Sequence, residues 1–167
     1  MSKEAANKTA ETTVKKIKRP RDQIGWREWA AFPELGVEKI NAKIDTGAKS
    51  SALHAFRIKE IDVDGEPYVE FYVHPLQRRK KPELFCRAPV SDKRIIRSSN
   101  GQEEERFVIR TPLCLGGRTW KIDLTLTNRD SMGFRLLVGR DALRRKFIID
   151  PGASYLLGAA PKSGSKK

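Results

Sequence analysis

The sequence predicts an all-β domain, a small barrel or sandwich, and three observations predict it. About ten short apolar runs with strand-like alternation are separated by Gly-bearing turns. Two of those turns, Asp64-Gly65 and Asn100-Gly101, are dipeptides that tight hairpins favour. Helical periodicity is confined to one short piece near the C-terminal end.

The elements follow in chain order. Residues 22–36 hold Trp26, Trp29, Phe32, Pro33 and Gly36, which read as a first strand and turn packed beneath the next strand. Residues 37–45 read as the second strand, with Val37, Ile40, Ala42 and Ile44 as its apolar members. Ser51–Phe56 is a short strand with mixed faces. Ile58–Val63 and Tyr68–Val73 flank Asp64-Gly65 as a hairpin, and His74-Pro75 closes its second strand. Residues 76–93 are basic and Pro-bearing, and read as a surface loop.

Ile95-Ile96 leads into Ser98-Ser99-Asn100-Gly101, and Arg106–Thr111 returns from that turn. Leu113–Leu115, Gly116-Gly117 and Trp120–Thr127 make a further hairpin, with Ile122, Leu124 and Leu126 on one face. Phe134–Val138 is a nearly continuous apolar strand of the buried kind. Asp141–Arg145 fits the one helical piece, with Asp141 as its cap. Phe147–Ile149 and Ser154–Leu157 read as closing strands. No internal repeat is evident.

The 167 residues suit one domain with tails, here 1–21, 22–158 and 159–167. The formal net charge of +13 is uneven: residues 1–21 carry +5 and residues 159–167 carry +3, which leaves +5 for the domain. Both tails are poor in large apolar residues and are expected to be disordered. Their charge suits an anionic partner, whether RNA or the ribosome, a membrane face or an acidic polypeptide, and equally suits plain solvation. No apolar run reaches membrane-spanning length, and the charged start has no secretory core, so no membrane partner is expected. Cys86 and Cys114 are too few for a disulfide scaffold and read as reduced thiols in a cytoplasmic protein.

The chemistry centres on Asp45-Thr46-Gly47-Ala48. An apolar strand ends there, so a carboxylate stands at a strand end, beside a hydroxyl and a residue that allows close backbone approach. Asp-Thr-Gly is also an ordinary turn tripeptide, and those three residues alone decide nothing. Roughly ninety residues later comes Leu136-Leu137-Val138-Gly139-Arg140-Asp141-Ala142-Leu143. An apolar strand ending in Asp-Thr-Gly-Ala, then an apolar-apolar-Gly-Arg strand leading into a short helix, resembles the retropepsins. Further runs sharpen the resemblance: Gly25-Trp26-Arg27-Glu28-Trp29, Ala42 through Ala55, Ser98-Ser99-Asn100-Gly101 and Leu126-Thr127-Asn128-Arg129-Asp130. They are similar to the bacterial retropepsin-like endopeptidases, long labelled ATP-dependent zinc proteases and associated with the glutamate ligase of ribosomal proteins.

The resemblance implies a closed, retropepsin-like acid-protease barrel and an aspartic endopeptidase. It implies Asp45 as the catalytic residue, with Thr46, Gly47, Ala48, Gly139 and Arg140 as its support. Aspartic proteolysis needs two carboxylates sharing one proton across a water, because like charges that close do not both ionise readily. One Asp-Thr-Gly per chain then implies a two-fold homodimer that brings Asp45 to the partner's Asp45. The candidate flap over the site is the hairpin tip Ser98, Ser99, Asn100 and Gly101, with the Asp64-Gly65 hairpin as its rival. Lys49 stands where viral retropepsins usually carry an acid that pairs with the Gly-Arg arginine. Arg140 is therefore expected to lack that partner, and Lys49 to add positive charge beside the cleft, which hints at an acidic peptide or protein substrate.

Cofactors are not expected. The chain has no His-Glu-x-x-His, only His54 and His74 as histidines, and no metal-ligand spacing at its cysteines. It has no Gly-rich phosphate loop ending in Gly-Lys-Ser/Thr. The competing reading is a β-barrel that binds RNA, the ribosome or an acidic polypeptide without cleaving it. If a monomer cleaved, a second acid within the chain would be required, and Asp130 and Asp141 are the first to consider.

Overall fold

The structure, a computed structural model, describes residues 20–97, 100–128 and 133–158. Both predicted tails, apart from Pro20 and Arg21, lie outside the described residues, as do Ser98, Ser99 and Asp130.

The chain order is β1 (Asp22–Ile24), β2 (Arg27–Phe32), a 3-10 turn (Pro33–Leu35), β3 (Val37–Ile44), β4 (Ser51–His54), β5 (Phe56–Val63), β6 (Glu66–Val73) and β7 (Leu84–Pro89). β8 (Asp92–Arg97), β9 (Glu103–Leu115), β10 (Arg118–Thr127), β11 (Leu136–Val138), the helix α1 (Arg140–Leu143) and β12 (Phe147–Ile149) complete it. The strands β10-β4-β11-β3-β2-β9 pair in that order, and β9 also pairs with β10, so six strands close into a barrel. β8 extends β9 outside the ring. Among the described residues, the predicted all-β class, closed barrel and single short helix are therefore what forms.

Alternation builds the barrel. On β3, Ile40, Ala42 and Ile44 are buried while Lys39 and Lys43 are exposed. Phe32, Leu53, Ile109, Leu113, Leu124, Leu126, Leu136 and Val138 fill the same interior and are each at most 1% exposed. Each such side chain stabilises the fold by about 1.5–3 kcal/mol through removal of apolar surface from water. The strand pairs β3–β11, β4–β10 and β1–β12 are parallel, and β11 lies between β3 and β4. That placement is what brings the end of β11 beside the end of β3.

A second layer is the antiparallel sheet β5-β6-β7, with Val69, Phe71, Val73, Cys86 and Ala88 buried. It meets the barrel at the 3-10 turn, where the Cys86 thiol donates to the Leu35 carbonyl at 3.4 Å. It meets it again at a stack in which the Phe56 ring lies 4.2 Å from His74 and 6.2 Å from His54.

Four expectations need correction. The loop expected over 76–93 contains β7 and the start of β8. Residues 106–111 and 113–115 are one strand, because Pro112 falls between the last residue paired to β8 (Val108) and the first paired to β2 (Cys114). With a partner on one side only, a residue without an N–H is tolerated there. Asp141 is not the helix cap: Gly139 holds that position and Asp141 lies in the first turn. Ser154–Leu157 is not a strand; only Ser154 bridges, to Arg27, and the rest turns.

Candidate active site

β3 delivers Asp45 to the barrel's edge. The Asp45 N–H donates to the Val138 carbonyl at 2.9 Å, which prolongs the β3–β11 pairing by one residue. The chain then turns. The Ala48 N–H donates to the Asp45 carbonyl at 3.3 Å, and the Gly47 N–H donates to Asp45 Oδ1 at 3.1 Å. Asp45 is half-buried, and Thr46 and Gly47 are exposed, so the carboxylate stands at the surface on a backbone fixed from behind.

The second motif fixes it. Arg140 N–H donates to the Ala48 carbonyl at 2.8 Å and Asp141 N–H to the Lys49 carbonyl at 3.0 Å. Gly139 N–H donates to Ser51 Oγ at 3.0 Å. A Cβ on Gly139 would stand 2.5 Å from the Ser50 carbonyl oxygen and 2.9 Å from that of Lys49, both backbone atoms. Glycine is therefore what lets the two segments touch. With Lys49 in place of an acid, Arg140 turns elsewhere: its Nη1 donates to the Thr46 carbonyl at 2.9 Å. The structure thus brings together all of Asp45, Thr46, Gly47, Ala48, Lys49, Gly139 and Arg140.

Among the described residues no other carboxylate is hydrogen-bonded to Asp45. Asp141 lines a cleft of about 620 Å³, together with Lys49, Ser50, Trp120, Lys121 and Lys146, and Asp45 does not line it. Asn100 and Gly101 sit at the end of the β8–β9 hairpin, where Asn100 Oδ1 accepts the Gln102 N–H at 3.1 Å and Arg97 pairs with Glu103 at 2.6 Å. The Asp64-Gly65 tip belongs instead to the β5–β6 hairpin of the second sheet.

Some residues were given no role by sequence reasoning. Glu28 is completely buried, and its carboxylate accepts the N–H groups of Gly25, Leu156 and Leu157 at 2.7–3.1 Å. A lone acid within an aromatic strand was the available signal. Ser51, at the start of β4, supports Gly139 through its hydroxyl. His54 and His74 are buried in a ring stack, 6.0 Å apart. Among the described residues no three His, Cys, Asp or Glu side chains gather as a ligand set. Burial pushes the Cys86 thiol up to about 11, so it is neither a ready nucleophile nor a ready ligand at neutral pH. Among the described residues, no helix is long and apolar enough to cross a membrane.

Residues 23–159 match the RimB-like family, described as the retropepsin-like aspartic endopeptidase RimB. A probable alpha-L-glutamate ligase of Desulfotalea psychrophila is 50% identical over 86% of this chain, which corresponds to 31% of that protein. Those of Shewanella pealeana and Parasynechococcus marenigrum are 50% and 43% identical over 81% of this chain, or 30% and 29% of theirs. The chain thus spans less than a third of the curated relatives it matches. A crystal structure of a Legionella pneumophila protein of unknown function superposes with a TM-score of 0.69 at 29% identity, over 83% of this chain and 99% of that one.

Proposed function

The chain belongs to the RimB-like family of retropepsin-like aspartic endopeptidases, and from that premise we propose that it hydrolyses peptide bonds through Asp45 in a two-fold homodimer. One observation carries the reading. The Asp45 turn is a half-exposed carboxylate on a backbone held from behind by Val138, Gly139 and Arg140. Such preorganisation suits a reacting group more than a plain surface turn, because a plain turn needs no support from a distant segment.

A second carboxylate comes from Asp45 of the partner subunit. The two share one proton, since close like charges do not both ionise readily. The ionised member takes a proton from the bound water as it attacks the scissile carbonyl. The protonated member hydrogen-bonds the carbonyl oxygen and stabilises the charge that develops there. The tetrahedral intermediate collapses with protonation of the leaving amine. The Gly47 backbone faces the substrate strand, which main-chain hydrogen bonding holds. The β8–β9 hairpin, whose described end carries Asn100 and Gly101, serves as the flap.

The substrate is an acidic polypeptide. Lys49 places an ammonium four residues from Asp45, and the relatives named for glutamate ligation carry a matching segment within a longer chain. The test replaces Asp45 with Asn and follows cleavage of glutamate-rich peptides. A loss of about 10²–10⁴-fold is expected for removal of an acid–base group. Undiminished cleavage would sink the aspartic mechanism, and a cleaving species that sediments as a monomer would sink the dimer. Binding of those peptides without any cleavage by the wild type would favour a binding module.

A further inference from the structure

We infer that the cleft beside the Asp45 turn is a carboxylate-reading subsite, and that the homodimer presents one copy to each flank of the scissile bond. The inference rests on the dimeric peptidase reading above.

The cleft's charge is divided in a telling way. Its two arginines are already engaged: Arg110 pairs with Asp123 at 3.0 Å, and Arg94 with Asp123 at 3.5 Å and Asp92 at 3.1 Å. Lys49, Lys121 and Lys146 make no ion pair among the described residues, and all three line the same space. Lys146 lies 5.4 Å over the Trp120 ring, which orients its ammonium along one wall. One further acid, Asp141, lines the same space as the three lysines. The lysines therefore retain net positive charge in a concave site, and a carboxylate side chain is the ligand that a peptidase substrate can offer them.

The position sets which side chain is read. Lys49 follows Asp45 by four residues, so the two Cα atoms are at most about 14 Å apart. The Ala48 N–H bond to the Asp45 carbonyl turns the chain between them, so the span is shorter than that limit and an extended substrate covers it in no more than about four residues. The Asp141 N–H bond to the Lys49 carbonyl ties the cleft's floor to the segment that supports Asp45, so the spacing is fixed rather than adaptable. Two-fold symmetry repeats the cleft on the partner. Acids on both sides of the cleaved bond, at similar spacing, should then favour cleavage, and a single acidic flank should gain only half the effect.

The experiment compares kcat/KM for matched peptides with glutamate or glutamine at each of the first to fourth positions on either flank. The wild type should prefer glutamate on each flank. Lys121→Gln with Lys146→Gln should lower that preference by about twofold to thirtyfold, the range for two surface ion pairs, and added salt should lower it in the wild type as well. Lys121→Glu with Lys146→Glu should turn the preference toward lysine flanks, which a merely structural role would not do. A preference on one flank only, or one unchanged in the lysine variants, would overturn the inference.

A binding arm separates its failure from that of the peptidase reading. Anisotropy of fluorescein-labelled octaglutamate is followed with Asp45→Asn protein, with and without the two lysine-to-glutamine changes. Weaker binding without the lysines supports the cleft even if Asp45 proves dispensable for cleavage. Equal binding overturns the cleft even if Asp45 proves essential.

Discussion

Arg140 donates through Nη1 to the carbonyl oxygen of Thr46 at 2.9 Å, across 94 residues of sequence. The bond joins the Gly-Arg segment to the residue that follows Asp45 in the turn. Where an acid would have paired with this arginine, Lys49 leaves the guanidinium to hold backbone instead.

Arg140→Ala should therefore act on activity more than on stability. The side chain is exposed, so its loss should cost about 1 kcal/mol or less of folding free energy. Misplacement of Asp45 should lower kcat/KM by about tenfold, equivalent to about 1.4 kcal/mol of lost transition-state stabilisation. Arg140→Lys should recover part of it, since one ammonium can reach a single carbonyl. Parallel losses in melting temperature and activity would show that the bond merely holds the fold.

Gly139→Ala is the harsher change. The added Cβ meets the Ser50 and Lys49 carbonyl oxygens at 2.5 and 2.9 Å, and neither is a flexible side-chain end. Backbone must shift, at about 1–3 kcal/mol. The shift falls on the residues that follow the Asp45 turn. Urea denaturation should report the lost stability, and cleavage should fall further than the unfolded fraction explains. A variant with wild-type midpoint and activity would contradict this packing.

Much of this was legible before the structure. The alternation of Val37–Ile44 and the Asp64-Gly65 turn, whose φ angles are 53° and 84°, follow from local chemistry alone. The pairing of Asp45 with Gly139-Arg140 was legible only through resemblance, because nothing local links residues so far apart. The strand β7 was hidden. Its inward residues are Cys86 and Ala88, too small to stand out, while Phe85 points outward at 52% exposure behind a basic run. The arginine's true partner was also hidden, since a backbone carbonyl leaves no trace in composition.

Glu28 anchors the C-terminal segment to β2. Its carboxylate accepts from Gly25, Leu156 and Leu157, and the side chain is fully buried. Glu28→Gln keeps one acceptor oxygen and turns the other into a donor facing an N–H. A loss of about 2–3 kcal/mol is expected, as for hydrogen bonds to a charged group. Hydrogen exchange should quicken at Leu156 and Leu157 before it does in β3. Uniform quickening, or none, would contradict the anchor.

Cys86 gives a pH prediction with a definite sign. Burial raises its thiol from 9.0 to about 11, so the folded state holds the proton over a range in which the unfolded chain releases it. For a group whose neutral form is favoured by folding, the contribution is complete below pH 9.0 and is lost as pH rises toward 11. Stability should therefore decline across that window, and Cys86→Val should remove this part of the slope while other alkaline titrations remain. The same burial protects the thiol chemically. At pH 8 only about one Cys86 in a thousand is thiolate in the folded protein, so iodoacetamide should modify the less buried Cys114 first and reach Cys86 only as the fold opens. Equal alkylation rates in the native protein would mean that the β7 sheet opens far more readily than its contact with Leu35 implies.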